Sequence, residues 1–275
     1  MGAIRELDNE TGLVAFCFGL AGAPGMSGSG LVALLGVFGK SPAASRSLIA
    51  RLQRRGVLVG HRFGRNTHYV LAGATAHQFG LLRDRGVGLA SEHDDWDGCF
   101  RALFFHAPEK RRVWRDQTRR VGVAHGFRLL RPGLLVHPRQ GVDELAAHLA
   151  PAPAGATLLA AQLQFASADA RQLVRDLWEL DDLAVRVSAA RAELVKLGAA
   201  PREPGRDDLL RYAGAMRPAY FCLLLTPALP SELLPTDWPM ADLLSALAGV
   251  HQTWTPAMVA VAQGVVSAAS SPSAS

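Results

Sequence analysis

Apolar positions recur at helical spacing over two short N-terminal stretches, residues 12–20 and 29–38, with a Gly/Ser/Pro-rich turn at 21–28 between them. Both are predicted helices, the first packing on the second. The clearest helix start follows. Ser41 can cap the free amides, Pro42 suits the first helical position, and the helix should end at Arg55 before Gly56. On that helix Ala44, Leu48, Ile49 and Leu52 fall within an arc of about 140°. The opposite arc carries Arg46, Ser47, Ala50, Arg51, Gln53 and Arg54. One side is core, and the other is basic with small residues. Two β-leaning runs, 57–63 and 67–71, then meet at Gly64-Arg65-Asn66, a hairpin signal with Arg62 and Arg65 near its tip. The order helix, helix, basic helix, hairpin is that of a winged helix-turn-helix.

Residues 74–85 read as a connecting helix leading into an acidic patch at 92–97. From Trp96 the period changes. A strand at 100–105, a basic helix from Pro108 to about 121, strands at 127–130 and 134–136 about Pro132-Gly133, a helix at 142–149 and a strand at 157–163 give the order β-α-β-β-α-β. That is the order of a ferredoxin-like domain. Beyond Phe165 the chain reads helical: one long amphipathic helix at 168–197, a polar break at 201–205, a helix at 207–216, a proline-rich stretch at 227–239 and a helix at 240–262. Residues 264–275 are small and polar and are predicted to fray. The expected class is α+β, in three domains: a winged helix-turn-helix with its connecting helix at 1–90, a ferredoxin-like domain at 91–166, and a helical C-terminal domain with a disordered tail at 167–275.

Charge sharpens this picture more by its distribution than by its sum of +5. Residues 1–90 hold 10 Lys+Arg against 4 Asp+Glu, and no carboxylate occurs between Thr11 and Arg83. Residues 164–275 are net acidic, with 9 against 12. A folded, carboxylate-free surface rich in arginine binds polyanions by releasing their counterions. On the basic helix, small side chains allow close approach to base edges while arginines offer bidentate donors to guanine. Arg46, Ser47, Ala50 and Arg51 are therefore expected in the major groove. Lys40, Arg54, Arg55, Arg62 and Arg65 are expected mainly on phosphates, and Ser41, Ser45 and Asn66 are expected to belong to the same DNA-binding surface.

Three cysteines far apart in sequence read as reduced thiols, and neither a disulfide framework nor a zinc site is expected. No signal peptide or membrane span is evident, so a cytoplasmic protein is expected.

Three groups of residues also resemble the PaaX family of bacterial regulators. The first is Leu34-Leu35-Gly36-Val37-Phe38-Gly39, with Ser45-Arg46-Ser47-Leu48 and Gly64-Arg65-Asn66-Thr67-His68-Tyr69. The second is Trp96-Asp97-Gly98, Pro108-Glu109-Lys110-Arg111, and Gly126-Phe127 leading to Arg131-Pro132-Gly133. The third is Leu229-Pro230-Ser231-Glu232-Leu233-Leu234-Pro235 with Asp237-Trp238-Pro239. The resemblance implies a winged helix-turn-helix, a central domain like the CRISPR protein Cas2, and a helical C-terminal domain. It also implies a dimeric repressor, some relatives releasing DNA on binding an aryl-coenzyme A thioester. By the same resemblance Arg46 and its helix read DNA, and Arg65 belongs to the wing. Upstream of Pro227 the chain departs from the family: Tyr220-Phe221-Cys222-Leu223-Leu224-Leu225 stands where relatives tend to carry basic residues. The coenzyme A ligand is therefore not transferred.

Other chemistry is weaker. A Cas2-like nuclease would place a metal-binding aspartate at the end of the first central strand, where this chain has His106. His106, His125 and His137 match no compact zinc spacing. Residues 25–30 are glycine-rich but lack the lysine of a phosphate-binding loop. Arg111, Arg115 and Arg119 share a helix face at i, i+4 spacing, and Arg111 and Arg115 are candidates for an acidic effector. The expectation is a homodimeric, sequence-specific regulator that binds double-stranded DNA at inverted repeats, with no catalysis, cofactor or metal. The alternatives are an effector-sensing or assembly protein whose DNA-binding module no longer functions, and a metal-dependent nuclease.

Overall fold

The computed structural model describes residues 10–64, 66–73, 75–76, 80, 96–200, 205–226 and 229–270. Arg65, most of the expected connecting helix at 74–85, most of the acidic patch at 92–97, four residues of the break at 201–205, and residues 271–275 lie outside the described residues. Contacts divide the chain into two units. One joins residues 1–90 with 185–226 and 239–275, and the other joins 91–184 with 227–238. These boundaries differ from a linear division into 1–90, 91–166 and 167–275.

The first unit begins with α1 (Glu10–Ala21), β1 (Gly25–Ser27), α2 (Gly28–Val37), α3 (Pro42–Arg54), β2 (Leu58–Phe63) and β3 (Asn66–Leu71). The helices and the hairpin lie where their periodicity places them. β1 is new: the turn at 21–28 contains a strand that pairs antiparallel with β3, giving the sheet order β1-β3-β2. Ser27 ends β1 and caps α2, accepting a hydrogen bond from the Gly30 amide at 3.1 Å. Leu13, Val14, Phe18, Leu31, Leu34, Leu35, Leu48, Ile49, Leu52 and Leu58 are buried in this unit.

Its C-terminal helices are α8 (Arg206–Leu225), α9 (Met240–Thr253) and α10 (Thr255–Ser270). α8 continues well past Met216, through Pro218, because Ala219, Cys222 and Leu223 are buried beyond the proline. That burial outweighs the hydrogen bond proline cannot donate. α10 corrects the expectation of a tail fraying from Gly264, since it remains helical to Ser270. Its small residues permit close packing on α1 and α2. Gln263 Nε2 donates to the Ala21 carbonyl at 3.1 Å, Ser270 and Ser27 share a 2.7 Å hydrogen bond, and a Cβ on Gly30 would come within 2.7 Å of Val266.

The second unit contains β4 (Cys99–His106), a 3-10 turn at Glu109–Arg111, α4 (Arg112–Ala124), β5 (Arg128–Arg131), β6 (Leu134–His137), α5 (Val142–Ala146), β7 (Thr157–Gln164) and α6 (Ser167–Leu177). The four strands are antiparallel in the order β5-β6-β4-β7. This is the ferredoxin-like arrangement, with the first and third strands of the unit central. Alternate β4 residues serve two cores. Leu103 and Phe105 pack with Trp114, Phe127 and Leu145, whereas Phe100 and Ala102 pack with Val136, Val174 and Trp178. The expected single helix at 168–197 is two: α6 ends at Leu177 with Trp178 as its cap, Glu179 takes φ +52°, and α7 (Leu180–Ala199) begins anew. Trp178 turns into the sheet core at the break, which is why an unbroken amphipathic repeat does not produce one straight helix.

Among the described residues no helix is long and apolar enough to cross a membrane. Cys17 and Cys222 are buried free thiols, and Cys99 is half-buried. Burial pushes the Cys17 thiol up to about 12 and the Cys222 thiol up to about 11.

Candidate nucleic-acid interface

α3 is held at both ends by local chemistry. Ser41 accepts a hydrogen bond from the Ala44 amide at 3.2 Å, and Pro42 opens the first turn. At the other end Gly56 adopts φ +70°, and the Gly56 and Val57 amides donate to the Gln53 and Leu52 carbonyls, each at 2.9 Å. Arg51 and Arg54 lie in the last turn, where the negative end of the helix dipole favours them. α2 and α3 are joined by four residues. Gly39 turns at φ +79°, and the Lys40 amide donates back to the Leu35 carbonyl.

Leu48, Ile49 and Leu52 seat α3 on the core, which leaves Arg46, Ser47, Ala50, Arg51 and Arg54 exposed as the helical wheel requires. Two positions on the wheel are corrected. Ser45, expected on the DNA-binding surface, is fully buried, and Ala44, expected in the core, is exposed. The reason is angular: Ser45 stands three, four and seven residues before Leu48, Ile49 and Leu52, hence on their stripe. Among the described residues its hydroxyl has no hydrogen-bond partner. Ser41 is exposed, but its oxygen is engaged as the cap. Arg55 is exposed and closes the helix.

In the hairpin, Phe63 pairs with Asn66 and Arg62 with Thr67 across the last two rungs, and Gly64 turns at φ +60°. Arg62 and Asn66 are exposed near the tip. Arg65 falls outside the described residues. Phe63 is 65% exposed and meets His68 edge-on at 5.5 Å. Residue alternation places it on the outer face, and an aromatic beside a basic hairpin tip is the signal that could have singled it out. A groove of about 390 Å³ near β3 and α10 is lined, among the described residues, by polar and apolar side chains including Ser27, Asn66, His68, Gln263, Met26 and Val266.

Among the described residues no carboxylate pairs with Arg46, Arg54 or Arg62. Lys40 and Arg51 differ, because both donate to Glu10, Lys40 at 2.7 Å. The Lys40 hydrogen bond, reinforced by the charges of Lys40 and Arg51, holds the Glu10 carboxyl below the usual carboxylate range. Nothing in the spacing of the sequence points to Glu10, which lies 30 and 41 residues from its partners.

The candidates in the second unit lie apart. His106 is exposed at the end of β4. His125 stacks on His148 at 4.5 Å. His137 is buried, its Nδ1 accepting from the Arg139 and Gln140 amides at 3.0 and 2.7 Å. Burial, with Arg128 nearby, pulls its imidazole down to about 4. Arg111 is exposed in the 3-10 turn, and Arg115 forms an ion pair with Glu109 at 3.6 Å.

Residues 93–174 match the family described as the PaaX protein central Cas2-like domain. No curated protein matches the chain. Among solved structures, an uncharacterized protein of Mycobacterium tuberculosis, Rv0674, is similar in fold. It has a TM-score of 0.51 at 22% identity, over 87% of this chain and 91% of its own.

Proposed function

We propose that this chain, a PaaX-family protein by its central Cas2-like domain, is a sequence-specific regulator of transcription that binds double-stranded DNA. One observation carries the reading. α3 presents Arg46, Ser47, Ala50, Arg51 and Arg54 on one exposed face next to a hairpin bearing Arg62, in a stretch without a carboxylate from Thr11 to Arg83. Taken as a winged helix-turn-helix, α3 enters the major groove. Arg46 and Arg51 address base edges there, Ser47 and Ala50 leave room for the approach, and Lys40, Arg54, Arg55, Arg62, Arg65 and Asn66 meet the backbone.

The protein acts in the cytoplasm as a homodimer, joined through its central and C-terminal helical parts, and represses by occupying inverted half-sites about 10 bp or a multiple apart. It performs no catalysis and needs no cofactor. A small-molecule effector releases it.

The test is a selection of bound fragments from the source genome, followed by fluorescence anisotropy on the recovered sequence and a scrambled copy over a salt series. Binding to the recovered fragment about 1,000-fold or more tighter than to the scrambled one, with steep salt dependence on both, is expected. Absence of any duplex retention at low salt would favour an effector-sensing or assembly role instead. Strand cleavage with a divalent metal would favour the nuclease.

A further inference from the structure

Glu10 is the last carboxylate before a run of 73 residues without one, and it sits on two of the cations of the basic face. It opens α1 and reaches Lys40, in the turn before α3, with Oε1. Oε2 reaches Arg51, on the exposed side of α3. The carboxyl group is held ionised by these partners at neutral pH. Both Glu10 and Arg51 are more than a third exposed, so the pair adds little to folding. Its cost falls on the opposite side, since a fixed negative charge lies where phosphates are expected.

We infer that Glu10 is a positioning residue that sets how well this protein discriminates between DNA sequences. The inference rests on the DNA-binding reading of α3. On random duplex, where phosphates supply nearly all the affinity, Glu10 occupies Lys40 and Arg51 and repels the backbone, so fewer counterions are released. At the correct site the same carboxylate restrains the Arg51 guanidinium and leaves its remaining N–H groups for acceptors on a base edge. Base-edge hydrogen bonds offset the repulsion there and nowhere else. Specificity is a difference of affinities, and this carboxylate lowers the wrong one.

The experiment compares wild type, Glu10→Gln and Glu10→Asp, each full length, on the selected fragment and its scrambled copy over a salt series. For Glu10→Gln, binding to the scrambled duplex rises by about 5- to 10-fold and its log–log salt slope steepens by about one to two units. The ratio between the two fragments falls by a similar factor. Glu10→Asp, which keeps the charge on a shorter arm, falls between. If Glu10→Gln changes both fragments in parallel with an unaltered slope, Glu10 is only a tether for α1 and the inference is overturned. Unchanged binding overturns it as well. Failure of the wild type to bind either duplex is a separate result that removes the DNA-binding reading and this inference with it.

Discussion

Two helices of this protein are rich in arginine, and they differ in what surrounds each charge. Along α3, Arg46 and Arg54 face solvent with no carboxylate on them among the described residues. Along α4, acids are interleaved with the cations. Arg112 lies 3.9 Å from Glu109 and 3.5 Å from Asp116, Arg115 lies 3.6 Å from Glu109, and Arg120 donates to the Asp116 carbonyl. Exposed pairs at i, i+3 and i, i+4 are worth only about 0.3–0.5 kcal/mol each to a helix, yet they cancel the field a distant phosphate would feel. Arginine density therefore does not make an anion-binding face. The absence of carboxylates within one helical turn does.

The largest predicted effect converts one pattern into the other. Ala50 is exposed four residues from both Arg46 and Arg54. In Ala50→Glu a carboxylate pairs with both and faces the DNA, so affinity should fall by about 100-fold or more, the several kcal/mol of a like-charge contact. Val113→Glu, at a site 77% exposed on α4, should leave DNA affinity within about twofold. Equal losses from the two substitutions in anisotropy titrations would erase the distinction between the helices.

Acid tests the second unit through its buried histidine. His137 has a folded pKa of about 4, below its ordinary 6.5, because burial, aided by Arg128, disfavours the charged ring. The unfolded chain thus binds the extra proton between those values. The stabilisation is complete above pH 6.5 and is lost as pH falls toward 4, by on the order of 3 kcal/mol. Thermal melts followed by tryptophan fluorescence should show this decline between pH 6.5 and 4. A flat profile would contradict the burial of a neutral imidazole.

Single-arginine truncations come next. Arg46→Ala should cost about 1–3 kcal/mol on the selected site and relax preference at one base pair. Arg112→Ala, breaking exposed pairs on α4, should change stability by less than about 1 kcal/mol and leave DNA binding unchanged. Binding isotherms against single-base variants of the site check the first, and denaturant melts the second.

The smallest effect concerns Ser45. Its hydroxyl is buried without a partner among the described residues, so Ser45→Ala should be neutral or stabilising by about 1 kcal/mol, with DNA binding intact. A specific loss of DNA affinity would return Ser45 to the interface.

Much of the candidate interface was legible because its signals are local. Ser41 and Pro42 start α3, Gly56 ends it, and Gly64 with Asn66 turns the hairpin, each within four residues of the geometry it specifies. The β-α-β-β-α-β order and its apolar alternation were equally readable. Boundaries in the helical half were less so, since the break at Trp178 and the continuation of α8 through Pro218 depend on what each helix buries.

Sequence alone therefore determined the β-α-β-β-α-β order of the central elements, and the cap and the basic arc of α3, because backbone hydrogen bonding and side-chain spacing act over a few residues. Tertiary structure decided that a strand at Gly25–Ser27 joins β3, that α10 packs on α1 and α2, and that Glu10 closes on Lys40 and Arg51. Those contacts join residues 30 to more than 200 positions apart, and their partners are selected by the packing of whole elements, which no local period encodes.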